Sequence, residues 1–74
     1  MIDLKDIEKA RVRIRGVVQR TPCLRSRPFS DQLGVHAWFK HETLQVTGSF
    51  KVRGAYNKIA SLPEDEVRRG VITA

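Results

Sequence analysis

One lysine follows a glycine turn at the start of an amphipathic stretch, and this placement suits chemistry at its amine. The run is Thr47-Gly48-Ser49-Phe50-Lys51. An unprotonated lysine amine can form an imine with an aldehyde, and once released it can act as a base. Lysine can lose its proton in a protein whereas arginine does not. Lys51 is therefore the first candidate for a chemically active residue.

The residues after Lys51 predict the helix that positions it. Apolar side chains recur there at helical spacing: Val52, Ala55, Tyr56, Ile59 and Leu62. We expect a helix from about Ser49 to Ser61, with Ser49 or Thr47 capping its N-terminus. Lys51 then lies in the first turn, where unpaired N–H groups and the helix dipole disfavour a second positive charge. This position should push the amine toward its neutral, nucleophilic form.

Two short elements, a strand and a helix or turn, are predicted before the glycine turn. His36–Lys40 reads as an apolar strand, and Glu42 and Gln45 lie on the connection that follows it. Ser30–Gly34 predicts a short helix or turn that ends at Gly34. We expect Trp38 and Phe39 to be buried on both faces of a sheet.

The beginning of the chain predicts a leading helix. Its apolar stripe consists of Leu4, Ile7, Ala10, Ile14, Val17 and Val18. Asp3 and Asp6 are typical of a capped, acid-first helix start. Because Arg11–Arg15 also alternates as a strand would, a strand remains the alternative there.

The end of the chain predicts a helix followed by a strand. Pro63 and the acids after it are typical of a helix start, and Gly70 follows two arginines that suit a helix end. Val71–Ala74 has a buried-strand pattern, whose parallel neighbours would be reached through helical crossovers. The predicted fold class is α/β, with a leading helix, then strands with crossover helices.

The segment Lys40–Ala55, KHETLQVTGSFKVRGA, resembles the pyridoxal-phosphate attachment segment of the serine/threonine dehydratases. These are fold-type-II (tryptophan-synthase-β-like) enzymes, a group that includes the threonine ammonia-lyases and serine racemase. The likeness extends to Thr21-Pro22 and to the closing Gly70–Ala74, so it covers nearly the whole chain. A long run of mixed chemistry is more specific than a lone glycine pattern, although it identifies the cofactor better than the substrate.

The resemblance implies roles for two residues. Lys51 would attach pyridoxal 5'-phosphate through a Schiff base and then remove the α-proton of the substrate, and Phe50 would pack beside the pyridine ring. The complete enzyme would be a threonine/serine ammonia-lyase that eliminates the hydroxyl of a small amino acid to give a 2-oxo acid and ammonia, and it would be a homo-oligomer. Serine racemase, or another β-eliminating or β-replacing relative, is the alternative because it shares the lysine segment.

The length of 74 residues is short for this family. We expect residues 1–74 to form a single partial domain, the N-terminal portion of the fold, which is incomplete in this chain and inactive alone. The resemblance implies a Ser-x-Gly-Asn-His loop just after Ala74, and farther on a glycine-rich loop for the cofactor's phosphate.

Composition predicts a globular cytoplasmic protein with neither a signal peptide nor a membrane span, with 41% hydrophobic and 30% charged residues. Cys23 is the only cysteine, so no internal disulfide can form, and we expect it to be partly buried. His36 and His41 lack companions that would complete a zinc site, so no metal is expected.

The net charge of +6 raises the alternative of a non-enzymatic basic binding module. An inactive relic of such a dehydratase is the other alternative. The densest basic stretch contains Lys9, Arg11, Arg13, Arg15 and Arg20. We expect most of these side chains to lie on the solvent face of the leading helix. Without a recognisable nucleic-acid module or aromatic stacking platform, nucleic acid is not the expected partner.

Overall fold

The computed structural model describes all 74 residues and contains four α-helices and two short strands. In chain order the elements are α1 (Leu4–Ile14), β1 (Cys23–Arg25), α2 (Arg27–Leu33), β2 (Trp38–Lys40), a 3-10 helix (Glu42–Leu44), α3 (Lys51–Ala60) and α4 (Glu64–Arg69). Helix α1 packs against α3, and β1 pairs with β2. None of the helices has the length and apolar character needed to cross a membrane.

The leading helix is confirmed, together with its acidic cap. The Asp3 carboxylate accepts from the Asp6 N–H at 3.0 Å, and the Asp6 carboxylate accepts from the Asp3 N–H at 3.0 Å. This reciprocal pair satisfies two donors that a helix start leaves unpaired. The helix runs through Ile14, so the alternative of a strand over Arg11–Arg15 was wrong.

The apolar stripe predicted for the leading helix includes two residues, Val17 and Val18, that lie beyond the end of α1. Arg15 leaves the helix with ψ 134°, and Gly16 follows with φ 83°. A positive φ of this size is the left-handed region that glycine tolerates, and it ends the helix. Val17 and Val18 therefore lie in turns beyond the helix.

The sheet differs from the predicted one. The strand at β2 is confirmed in a shorter form, and it pairs antiparallel with β1, which the sequence did not predict. The register places Cys23 opposite Lys40, Leu24 opposite Phe39 and Arg25 opposite Trp38. Phe29 of α2 packs edge-on against Phe39 of β2, but Cys23 remains exposed, so the expectation of partial burial was wrong.

Between the two strands, α2 begins and ends with recognisable caps. The Ser26 hydroxyl accepts from the Phe29 N–H at 3.4 Å, and Pro28 stands in the first turn, where its missing N–H costs nothing. Gly34 closes the helix in the left-handed conformation, as predicted. Helix α2 begins at Arg27, three residues before the predicted start at Ser30.

The last predicted strand is absent. Helix α4 forms as predicted between Pro63 and Gly70. Val71–Ala74 has no regular structure, and Ile72 is fully exposed. A strand needs a partner for its N–H and C=O groups, and no other segment of the chain lies beside this one.

The chain lacks a buried hydrophobic core. Only 3 of 74 residues are buried, and all three are polar: Thr21, Ser30 and Gln45. Trp38 and Phe39 are 60% and 42% exposed, so in this chain they are not buried on both faces. The radius of gyration is 16.2 Å, whereas a compact chain of this length would have about 11 Å. The elements that present the glycine turn are therefore held mainly by polar contacts.

Candidate active site

The glycine turn directs the chain into α3. Gly48 has φ 74°, and its N–H donates to the Gln45 carbonyl at 2.8 Å. The helix then begins at Lys51, two residues later than the predicted start at Ser49. Lys51 lies in the first turn, as predicted, because Phe50 already has helical backbone angles and directs the chain into the helix.

The cap of α3 differs in detail from the predicted one. The Ser49 hydroxyl accepts from the Lys51 N–H at 3.4 Å, although Phe50 occupies the capping position itself. Thr47 does not cap the helix, since its hydroxyl donates to the Ser49 carbonyl at 3.4 Å. Both polar side chains therefore stabilise the turn, and only Ser49 reaches a helical N–H.

The two candidate site residues are adjacent and accessible. Lys51 is exposed, and its amine takes part in none of the four salt bridges and in no hydrogen bond. Phe50 is 65% exposed. The structure thus places a free amine beside an open aromatic ring, and no acid of this chain neutralises that amine.

A cluster of polar side chains lies next to the glycine turn, and we call it the Glu42 cluster. It consists of Thr21, Glu42, Gln45 and Arg53. Arg53 donates to both Glu42 carboxylate oxygens, from Nε at 2.9 Å and from Nη2 at 3.0 Å. The Thr21 hydroxyl also donates to Glu42. The Glu42 side chain is only 14% exposed. A two-pronged guanidinium contact of this kind fixes orientation as well as charge.

Gln45 connects this cluster to the segment after α1. Its side-chain oxygen accepts from the Gln19 N–H at 2.7 Å, and its side-chain nitrogen donates to the Gln19 carbonyl at 2.9 Å. The same nitrogen lies 3.5 Å from Glu42 Oε2. Gln45 is 5% exposed, so these contacts satisfy a buried amide that would otherwise be costly.

Sequence reasoning placed Glu42 and Gln45 on a connection and gave them no role. Glu42 and Arg53 are eleven residues apart, so no helical i, i+4 spacing marks them as a pair. The available signal was indirect: an acid and an amide stand three residues apart between an apolar strand and a helix.

The arginine contact changes the titration of Glu42. Hydrogen bonds from Arg53 and then from Thr21 favour the ionised carboxylate and lower the Glu42 pKa from 4.5 to about 2. A folded-state pKa below the unfolded one contributes stability that is fully present above about pH 4.5 and is lost as pH falls toward 2. We expect the carboxyl-carbon NMR shift of Glu42 to titrate near pH 2, and Arg53→Met to move its pKa upward. A Glu42 pKa near 4.5 under conditions where circular dichroism shows the protein folded would contradict the pairing with Arg53.

The basic side chains of the leading segment are exposed, as predicted, and some of them line a groove. Arg11 and Arg15 line an open groove of about 520 Å³ together with Arg20, Lys40 and Arg53. Lys40 donates to the Thr21 carbonyl at 2.6 Å, and Arg53 is paired with Glu42. Arg13 instead donates to Asn57 of α3 at 2.7 Å. The leading helix is therefore tied to the lysine-bearing helix by a polar contact.

An unpaired lysine amine at the start of a helix, directly after a glycine turn, has the chemistry to form an imine with a carbonyl group. The family model described as "Pyridoxal-phosphate dependent enzyme" matches residues 14–74. The chain belongs to this family, which has the fold-type-II architecture and uses pyridoxal phosphate.

Several curated proteins are similar to the chain. L-threonine ammonia-lyase of Thermotoga maritima is 50% identical over 74 residues, which is 100% of this chain and 18% of that protein. Serine racemase of Dictyostelium discoideum is 46% identical over 97% of this chain and 22% of its own length. The catabolic L-threonine dehydratase TdcB of Escherichia coli is 41% identical over 96% of this chain and 22% of its own length. The chain thus spans about a fifth of the length of these relatives.

Among solved structures, maize serine racemase superimposes with a TM-score of 0.79 at 38% sequence identity. The match covers 92% of this chain and 21% of that chain. The arrangement of helices and strands described above is therefore the one that this part of a fold-type-II enzyme adopts.

The residues present fit one end of the cofactor. An aldehyde needs an uncommitted amine, and the Lys51 amine is exposed and unpaired. A phosphate is suited by several backbone N–H groups or cations around one point. The groove lined by basic side chains does not include Lys51, so around this lysine the residues fit the aldehyde end of the cofactor.

Proposed function

We propose that this chain supplies the cofactor-attaching lysine of a pyridoxal-phosphate-dependent threonine/serine dehydratase, a threonine/serine ammonia-lyase. The observation that carries the proposal is the Lys51 amine, which is exposed at the start of α3 and free of any ion pair. The similarity of the chain to threonine ammonia-lyases at 41–50% identity supports the same reaction class.

Lys51 has two roles in this proposal. Its amine would hold the aldehyde carbon of pyridoxal phosphate, and once free it would serve as the base that takes the α-proton of the substrate. Phe50, 65% exposed next to it, offers an aromatic face on which the pyridine ring packs. Pyridoxal phosphate supplies an electron sink for the negative charge that develops at the α-carbon.

The overall reaction removes the α-proton and the β-hydroxyl of threonine or serine. Water then replaces nitrogen at the α-carbon, so the products are a 2-oxo acid and ammonia. The β-hydroxyl on the adjacent carbon would leave as water, taking up one proton for the one removed from the α-carbon. This chain would contribute the base to that sequence. Glu42 is a poor proton acceptor, because Arg53 binds both of its oxygens and helps to lower its pKa to about 2.

Serine racemase is the second candidate, and a specific observation favours it. Serine racemases are 46% identical to this chain in Dictyostelium discoideum and 38% identical in maize. Racemisation begins with the same loss of the α-proton, so the Lys51 site suits it equally. A β-replacing relative would use the same lysine as well.

Further proposals concern the whole protein. We propose that residues 1–74 belong to a single catalytic domain, that the substrate is a small amino acid, and that the complete enzyme is a homo-oligomer acting in cytoplasmic amino-acid metabolism. The family membership and the relatives' names, "L-threonine ammonia-lyase" and "Serine racemase", support the catalytic domain and the amino-acid substrate.

The attachment site can be tested in a chimera, in which this chain replaces the corresponding part of the Thermotoga maritima L-threonine ammonia-lyase. After incubation with pyridoxal phosphate, borohydride reduction and peptide mapping should place a stoichiometric pyridoxyl adduct on Lys51. Lys58 on the same helix is the internal control, since it lies in the last turn of α3. A stoichiometric adduct on Lys58 or Lys40 would overturn the assignment.

A further inference from the structure

The lysine-bearing turn is held at both of its ends by the Glu42 cluster. Gln45 precedes the turn, and Arg53 stands two residues beyond Lys51 in the first turn of α3. Both side chains reach the same two partners, the Glu42 carboxylate and the backbone of Gln19. Residues 46–52 comprise the glycine turn and the first two residues of α3. The side chains on either side of this segment, Gln45 and Arg53, both contact Glu42.

The side chains of Arg53 and Lys51 leave α3 in different directions, so the Glu42 cluster does not include the Lys51 amine. Residues two positions apart on a helix point about 200° apart around its axis. Arg53 is accordingly half-buried against Glu42, with its side chain 32% exposed, whereas Lys51 is exposed. Of the two cations in the first turn of α3, Glu42 thus binds Arg53 and leaves Lys51 without an acid.

Apart from the Glu42 cluster, few contacts hold the glycine turn in place. The chain has no buried hydrophobic residue, and Gln45 and Thr21, two of its three buried residues, both contact Glu42. A reacting amine must be held close to its target, because small misplacements reduce rates strongly. The Glu42 cluster, which contains two of the three buried residues of the chain, flanks the segment that carries Lys51.

Taking Lys51 as the attachment residue of the proposed function, we propose that Glu42 is a positioning residue. It fixes the glycine turn by binding Gln45 before the turn and Arg53 after it, and so sets where the Lys51 amine stands. Glu42 does not touch the reacting atoms. Its removal should loosen residues 46–52 before it affects the distant helices.

The experiment uses the chimera without cofactor and measures amide hydrogen exchange. In Glu42→Gln, exchange over residues 46–52 should accelerate by about tenfold or more, because one neutral amide oxygen cannot replace two charge-assisted hydrogen bonds. Exchange in α2 should change by less than about twofold. The matched control is Glu64→Gln, whose partner Arg68 lies 3.3 Å away on an exposed helix face, and it should leave residues 46–52 unchanged.

Two further measurements distinguish a local effect on residues 46–52 from a general folding defect. Arg53→Lys keeps the positive charge but offers a single ammonium, so it should accelerate exchange over residues 46–52 less than Glu42→Gln does. In Glu42→Gln the dissociation constant for pyridoxal phosphate should rise by about tenfold, while the pyridoxyl adduct still maps to Lys51.

Three results would overturn the proposal. The first is unchanged exchange over residues 46–52 in Glu42→Gln. The second is equal acceleration in α2, which would make Glu42 a general stabilising residue. The third is a parent chimera in which residues 46–52 exchange as in an unstructured peptide. An adduct on another lysine would instead refute the proposed function, and the exchange measurement, made without cofactor, would still stand.

Discussion

Lys51→Ala is expected to lower turnover of threonine or serine in the chimera by at least about a thousandfold. A positioned proton-transfer group alone contributes a factor of about 10² to 10⁴, and here the same residue also attaches the cofactor. The fold should persist, because the Lys51 side chain is exposed and makes no hydrogen bond that alanine would lose. Its one local contact, from the backbone N–H to Ser49, is kept by alanine. The measurement is 2-oxo acid formation at saturating cofactor, with far-ultraviolet circular dichroism as the check on folding.

Lys51→Arg should be as inactive as Lys51→Ala. Arginine keeps the positive charge and fits an exposed helix start, but its guanidinium stays protonated and cannot attack an aldehyde. Lys58→Ala is the matched control, since it removes an exposed lysine of the same helix, and it should retain nearly full turnover. Substantial activity in Lys51→Arg would show that charge alone is required, and the assignment of Lys51 as nucleophile would be wrong.

Local patterns in the sequence predicted those parts of the structure that depend on near neighbours. The Asp3 and Asp6 capping box, the left-handed stop at Gly34 and the helix between Pro63 and Gly70 all form as expected. Each depends on contacts within four residues, where side-chain type determines the result. Lys51 falls at the entrance of α3 for the same reason.

Contacts between distant segments could not be predicted in this way. The strand β1 has only three residues, too few for a periodic pattern, and its pairing with β2 depends on how α2 folds back between them. The Glu42 to Arg53 pair and the Gln45 to Gln19 contacts join segments 11 and 26 residues apart. At Val71–Ala74 the sequence predicted a strand that does not form. The composition suits a strand, but the chain offers this segment no partner.

The 74-residue chain alone is expected to give no detectable threonine or serine deamination and no saturable binding of pyridoxal phosphate. An accessible amine reacts with an aldehyde, but specific binding also needs groups that hold the phosphate and the ring. The structure shows the amine of Lys51 and the ring of Phe50, both exposed, and no enclosed cavity around them. Adducts formed at high cofactor concentration should therefore spread over the exposed lysines rather than collect on Lys51.

Stability of the isolated chain should be equally poor, because every large apolar side chain remains in contact with water. Trp38 is 60% exposed and Ile72 is 102% exposed, and the two-stranded sheet leaves unpaired edges. A two-stranded sheet is at best marginally stable, and exposed apolar surface beside free edges favours association. We expect broad, non-cooperative thermal unfolding and concentration-dependent oligomers in light scattering, reduced in the double variant Trp38→Lys, Ile72→Lys. A monomer that unfolds cooperatively and turns over substrate would contradict this, since polar contacts such as the Glu42 cluster would then suffice to hold both the fold and the site.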